Sequence, residues 1–305
     1  MVVFRKVPPL FIFKFSGDLM LGVLGIVLLT LIAHQSIEID EPTILLPSLA
    51  VFGTVMSLFL AFKTNESYNR WWEARILWGS LVNYSRSFGR QITNLLTPET
   101  TGISSQNELD ELCKSFIYRH LGYINALRMY LRKQSNWDEL DPFLGEPLRS
   151  ELTKQANIPT QLVHRQAQAL KSIFKDTQND FRYMQIDSTL NEFYNIQGGC
   201  ERIKNTVFPR IYSHLTTIFT WLFAFSLIFS LYDEFNWQVL VTRVIVAYVF
   251  LTLEKISRRL KDPFENKISD TPMTAICRTI EIDLREMLGE KEIPPPLEPV
   301  KGILY

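Results

Sequence analysis

Residues Pro47 to Gly79 read PSLAVFGTVMSLFLAFKTNESYNRWWEARILWG, an uncharged run that ends at Phe62 and passes without a break into a helix rich in charge and aromatics. From Ile44 to Phe62 no side chain is charged. A run of about 19 residues at about 1.5 Å each spans roughly 28 Å, close to the hydrocarbon thickness of a bilayer. This segment is expected to cross a membrane. Pro47 falls in the first turn, where a missing N–H costs little, and Gly53 is a break that membrane helices tolerate. Beyond Phe62, Lys63, Arg70 and Arg75 suit headgroups, and Tyr68, Trp71, Trp72 and Trp78 suit a wet apolar boundary. Ala50, Thr54, Leu58 and Phe62 step by four residues and share one face of the helix. Such a face packs on neighbouring helices. In an oligomer with this helix beside the axis, it instead stacks rings of Thr54, Leu58 and Phe62 into a constriction that gates by dewetting. The sequence leaves both open.

Outward from this stretch, the chain of 305 residues has 32 basic and 32 acidic side chains, so it offers no net positive charge to nucleic acid. The balance hides a strong segregation. Uncharged runs occur at Leu19–Ala33, Ile44–Phe62 and Ile211–Tyr232, and a fourth at Trp237–Leu253 is interrupted only by Arg243. The expectation is four transmembrane helices in two hairpins. The connections HQSIEIDEPT and DEFNWQ contain acids and no Lys or Arg, whereas basic residues gather at the four opposite flanks. The positive-inside rule then puts both termini and the long middle in the cytoplasm. A cleaved signal peptide at Leu19–Ala33 is the rival, but no small-x-small site follows and its loss would leave an odd number of spans. Cys113, Cys200 and Cys277 all fall on the cytoplasmic side, where thiols stay reduced, and are expected to be packing residues.

Four segments follow: 1–62, a surface segment and the first hairpin; 63–209, a helical cytoplasmic domain; 210–254, the second hairpin; and 255–305, a cytoplasmic helix with a proline-rich tail. The middle has few glycines and no alternating pattern, so the fold class is all-α. Helical spacing predicts Lys63–Leu96, closed by Thr97-Pro98, then Glu108–Lys133, Thr160–Lys175 and Asp180–Asn205. His120 lies on the apolar side of the second and is expected to be buried or at a boundary. Asn136–Pro159, with Pro142, Gly145, Pro147 and Pro159, is expected to be looped. The adjacent Gly198 and Gly199 imply close helix packing. A last helix is predicted at Met273–Leu288, and the tail EIPPPLEPVKGILY is expected to be extended, reaching a neighbour in an oligomer.

No phosphate loop, dinucleotide fingerprint, HExxH, GxSxG or paired CxxC occurs, and His34, His120, His164 and His214 are scattered. Neither an enzyme nor a metal or cofactor site is expected. Arg243, the one charge inside a predicted span, is a functional candidate by default. Its position near the outer end suits a snorkelling side chain partnered by Asp233 or Glu234.

Three runs, SLFLAFKTNESYNRWWEARILWG at Ser57–Gly79, GGCERIKNTVFP at Gly198–Pro209, and KDPFENKISDTPM at Lys261–Met273 followed by CRTIEIDL, resemble the bestrophin family of ion channels, in particular its bacterial and thylakoid-type members. The resemblance implies a homopentamer around one axial pore, with Thr54, Leu58 and Phe62 as the neck. A cytoplasmic aperture falls near Phe181, with Tyr183 or Met184 as alternatives. It also implies a passive channel for small monovalent ions, anions such as chloride, in a bacterial inner or thylakoid membrane. The alternatives are a monovalent-cation channel of the same fold and a non-conducting membrane scaffold. Its partners are copies of itself, the lipid bilayer and small inorganic ions. Two departures matter. Pro263-Phe264 is followed by ENKISD, which has too few adjacent acids for a tight calcium site. Glu66 stands one turn beyond Phe62 where similar chains carry a small residue; a ring of Glu66 favours cations, whereas a ring of Lys63 favours anions.

Overall fold

The computed structural model describes residues 1, 9–36, 45–174, 180–206, 209–230 and 236–305. Helices α1 (Pro9–Ser36) and α2 (Leu45–Leu95) come first, then a short α3 (Pro98–Thr101) and α4 (Gln106–Leu131). A 3₁₀ turn (Trp137–Leu140), α5 (Asp141–Leu144) and α6 (Glu146–Leu152) lead to α7 (Ile158–Phe174) and α8 (Asp180–Asn205). The chain continues through α9 (Arg210–Phe229), α10 (Trp237–Leu260) and α11 (Met273–Met287). No strand occurs among the described residues; Val300 and Ile303 form an isolated bridge. The connections expected to carry acids between the hairpin helices fall largely outside the described residues, as do Asp233 and Glu234.

Two compact units divide the chain: Met1–Val3, Trp72–Thr206 and Asp262–Tyr305 in one, Phe4–Trp71 and Val207–Lys261 in the other. Residues of α2 belong to both, because its 51 residues form one unbroken helix. Nothing between Leu45 and Leu95 stops it: Pro47 lies in the first turn, and Pro98 comes only after the end.

In the unit made of α1, the first part of α2, α9 and α10, Leu19, Val23 and Ile26 of α1 pack with Ala224 and Ile228 of α9 and Leu240, Ala247 and Leu251 of α10. Gly22 exists for this packing, since a Cβ there would stand 2.6 Å from the Trp221 ring. Helices α9 and α10 run antiparallel, as the pairs Thr217–Glu254 and Ser230–Arg243 show. At one end, Asp18 pairs with Lys255 and Arg259 covers the Phe15 ring at 4.5 Å. Among the described residues, three helical stretches are long and apolar enough to cross a membrane: Phe15–Ala33, Ser48–Leu95 and Arg210–Phe229. The fourth expected span falls on α10, a full helix whose length includes Arg243, Glu254 and Lys255. Arg243 donates from Nη1 to Ser230 Oγ at 2.7 Å, a partner at the C-terminal cap of α9.

In the other unit, Trp78, Leu81, Phe88 and Ile92 of α2 are buried among α4, α7, α8 and α11. His120 of α4 is buried here. Its Nε2 lies 2.8 Å from Ser85 Oγ and its ring centroid 4.4 Å from that of Phe193. Ser85 Oγ already donates to the Leu81 carbonyl at 2.6 Å, so it accepts from the histidine. Burial pushes the imidazole down to about 3, which keeps it neutral. All three cysteines are buried free thiols, and burial raises Cys113 to about 11 and Cys277 to about 12.

The stretch expected to be looped is instead a series of short helical turns. Pro142 and Pro147 each sit in a first turn, where they continue the helix, and Gly145 separates the turns at φ 72°. Arg149 binds both Asp138 and Asp141, and Leu140 and Leu152 are buried beneath. The tail lies along α11 of its own chain: Ala275 N donates to the Tyr305 carbonyl at 2.8 Å and Arg285 Nη2 to the Glu292 carbonyl at 2.7 Å.

Between α10 and α11 the chain turns over a buried Phe264, with Thr271 N donating to the Pro263 carbonyl at 3.0 Å. Asp262 binds Lys204 at 2.7 Å, Glu265 binds Lys267, and buried Asp270 accepts from Lys267 N at 2.9 Å. Desolvation raises Asp270 from its ordinary 3.8 to about 6. The fold therefore prefers the protonated acid, and this residue's contribution to stability is fullest below pH 3.8 and falls as pH rises to about 6. Comparing unfolding midpoints of wild type and Asp270→Asn over that range should show a flatter pH slope for the variant.

The two glycines of α8 differ. A Cβ on Gly199 would stand 2.9 Å from Leu77 Cδ1 and Cδ2, whereas nothing lies within 4 Å of one on Gly198. Gly199→Val should destabilise by about 1–3 kcal/mol through overpacking, and Gly198→Ala should stabilise by about 0.5–1 kcal/mol through helix propensity. Thermal unfolding in detergent reads both.

Candidate ion pathway

The first half of α2 presents two different faces. Leu49, Met56 and Leu60 are buried, and Met56 and Leu49 pack with Phe223 of α9. Gly53 admits that ring, since a Cβ would stand 3.1 Å from it. On the other side Ala50 and Thr54 are exposed, Leu58 is 56% exposed and Phe62 is 63% exposed. The residues expected to form the neck are thus together on an unpacked face. Thr54 Oγ1 donates to the Ala50 carbonyl at 2.9 Å, and the Thr54 carbonyl accepts from Ser57 Oγ at 2.7 Å. The hydroxyl is spent on its own helix and offers its methyl group and lone pairs to the outside.

Lys63 departs from expectation. It is 1% exposed, and its Nζ donates to Glu254 Oε1 at 3.1 Å and to the Ser213 carbonyl at 3.2 Å. Thr217 Oγ1 also donates to Glu254 Oε1, at 2.6 Å, and Arg258 lies 3.4 Å from the other carboxylate oxygen. An ammonium buried in this way is turned from the exposed stripe and held within its own chain. The reason is angular: Lys63 is turned about 100° from Phe62 around the helix, whereas Glu66 is turned only about 40°. Glu66 is exposed. Glu254 was not singled out by sequence, although a lone acid ahead of Lys255, Arg258, Arg259 and Lys261 was a visible signal.

Beside the exposed stripe runs an apolar groove of about 590 Å³ along α2 and α10, lined among others by Ser57, Leu60, Ala61, Tyr68, Phe250 and Leu253. In the other unit, Phe181 near the start of α8 is 89% exposed and Met184, one turn on, is 63% exposed. Tyr183 is half-buried and its ring meets Phe174 at 6.0 Å, edge on. Of the aperture candidates, Phe181 and Met184 therefore share an open apolar face and Tyr183 packs inward. Among the described residues no group of His, Cys, Asp and Glu is arranged to hold a metal ion.

The Bacterial/Fungal Bestrophin family model matches residues 17–286. A voltage-dependent anion channel-forming protein of Ralstonia nicotianae is 30% identical over 246 residues, covering 80% of this chain and 78% of that protein. The voltage-dependent anion channel-forming protein YneE of Escherichia coli is 29% identical over 251 residues, covering 82% and 79%. A crystal structure of a bacterial bestrophin homologue from Klebsiella pneumoniae aligns with a TM-score of 0.77 at 25% identity, over 92% of this chain and 99% of the other.

Breaking the buried pair leaves one charge without its partner. Glu254→Gln should cost about 3–5 kcal/mol, and the double variant Lys63→Met with Glu254→Leu should recover most of the loss. Thermal unfolding of the detergent-solubilised protein reads both.

Proposed function

We propose that this chain, which belongs to the bacterial and fungal bestrophin family, is a passive channel for small anions such as chloride. Several copies, five by the family resemblance, stand around a shared axis. The stripe Thr54, Leu58 and Phe62 forms the neck, and Phe181, with Met184 beside it, forms a second constriction. The observation that carries this is the open face of α2: a membrane-length helix that packs one side and leaves Leu58 and Phe62 more than half exposed. The groove beside the stripe supplies a seat for the same helix of a second copy. The anion preference draws support from the relatives named as anion channel-forming proteins. Helix α10, antiparallel to α9, completes a fourth span, with α1 and α2 as the first hairpin and both termini on the cytoplasmic side.

A neck of this kind closes by expelling water: rings of leucine and phenylalanine give a narrow column nothing to hydrogen-bond, so the column empties unless the rings part. Replacing Leu58 and Phe62 by alanine widens the column and wets it. In planar bilayers the double variant should raise unitary conductance at least about twofold, and the reversal potential of the wild type under a salt gradient should lie on the anion side. An unchanged conductance removes the neck, and a reversal potential on the cation side assigns the channel to cations. Phe181→Ala should alter conductance independently of the neck.

A further inference from the structure

We propose that Glu66 places a ring of negative charge at the end of the neck beyond Phe62 and makes the anion current rectify. The inference rests on the neck proposed above. From Ile44 to Asn69 the only charged side chains are Lys63 and Glu66. Lys63 is enclosed with Glu254, the Ser213 carbonyl and Thr217, and so contributes nothing to the exposed surface of α2. Glu66 is exposed, one turn past Phe62, and no described cation pairs with it. The next basic residue beyond Glu66, Arg70, directs its Nε to the Lys261 carbonyl at 3.1 Å. Burial of the lysine thus leaves a pair of opposite charges in sequence as a single negative charge in space.

A fixed charge at one end of a neck that is otherwise uncharged from Ile44 to Phe62 makes the pore electrically asymmetric. Anions are depleted at the Glu66 end, so the current is smaller when they enter from that side and larger when they enter from the opposite one. Mobile ions screen the ring over roughly 10 Å at about 0.1 M salt and roughly 3 Å at about 1 M, so the asymmetry weakens as salt is raised. The ring is therefore a source of voltage-dependent current that needs no moving part.

The test is the single-channel current–voltage relation of the purified full chain in symmetric potassium chloride. Each channel has one orientation, so mixed insertion does not blur the result. The ratio of currents at equal and opposite voltages should depart from unity in the wild type. Glu66→Gln should bring that ratio about twofold or more closer to unity, and Glu66→Lys should invert it. The position is exposed, so both variants should assemble as the wild type does, which size-exclusion chromatography checks. Wild-type rectification in both variants, with Phe62→Ala still raising conductance, overturns the role of Glu66 and leaves the neck in place. If Phe62→Ala is silent as well, the neck falls and the ring falls with it.

Discussion

An ammonium enclosed among apolar helices has no water to solvate it, and the structure answers that demand at Lys63. Glu254 of α10, the Ser213 carbonyl and the Thr217 hydroxyl of α9 converge on one point at the end of the uncharged part of α2. Desolvating such a pair consumes much of its Coulombic gain, so its main effect is specificity rather than net stability. Only one rotation of α2 about its axis delivers the lysine to its partners. In that rotation Met56 and Leu60 face inward and Leu58, Phe62 and Glu66 face out. What the open face presents is thus decided by a contact on the closed one.

The same arrangement bears on ion preference. A basic and an acidic residue three positions apart look equivalent along a sequence, and on a helix they lie only about 60° apart, yet that turn is enough to separate their surroundings. Here one is neutralised by a partner 191 residues away and the other meets solvent. Beyond Phe62 the exposed face of α2 therefore carries the acid and not the base. In the proposed channel, ions pass this carboxylate without help from Lys63.

Much of the fold was legible. Long helices announce themselves through uncharged runs and helical spacing, and Lys63–Leu96, Glu108–Lys133 and Asp180–Asn205 end within a few residues of α2, α4 and α8. The exposed stripe was legible for the same reason, since four-residue steps put side chains on one face whatever the tertiary context. The partners of a side chain were not. Lys63 reads as a headgroup ligand because its sequence neighbours are polar, and nothing local reveals an acid on α10. The stretch from Asn136 to Pro159 differs from the expected loop because proline stops a helix only from its interior. Pro142 and Pro147 occupy first turns, where a missing N–H breaks nothing. The glycine pair in α8 shows the same limit: Gly199 is required by Leu77 and Gly198 by nothing within 4 Å.

Thr54 is the one polar side chain on the stripe, and its hydroxyl proton is already committed to the Ala50 carbonyl. An anion arriving there finds no donor to replace the water it would shed. Dehydration at that level is uncompensated, so small anions with a loosely held shell traverse the proposed neck more readily than tightly hydrated ones. Discrimination among halides would then follow the energy of shedding water rather than the fit of a coordination cage.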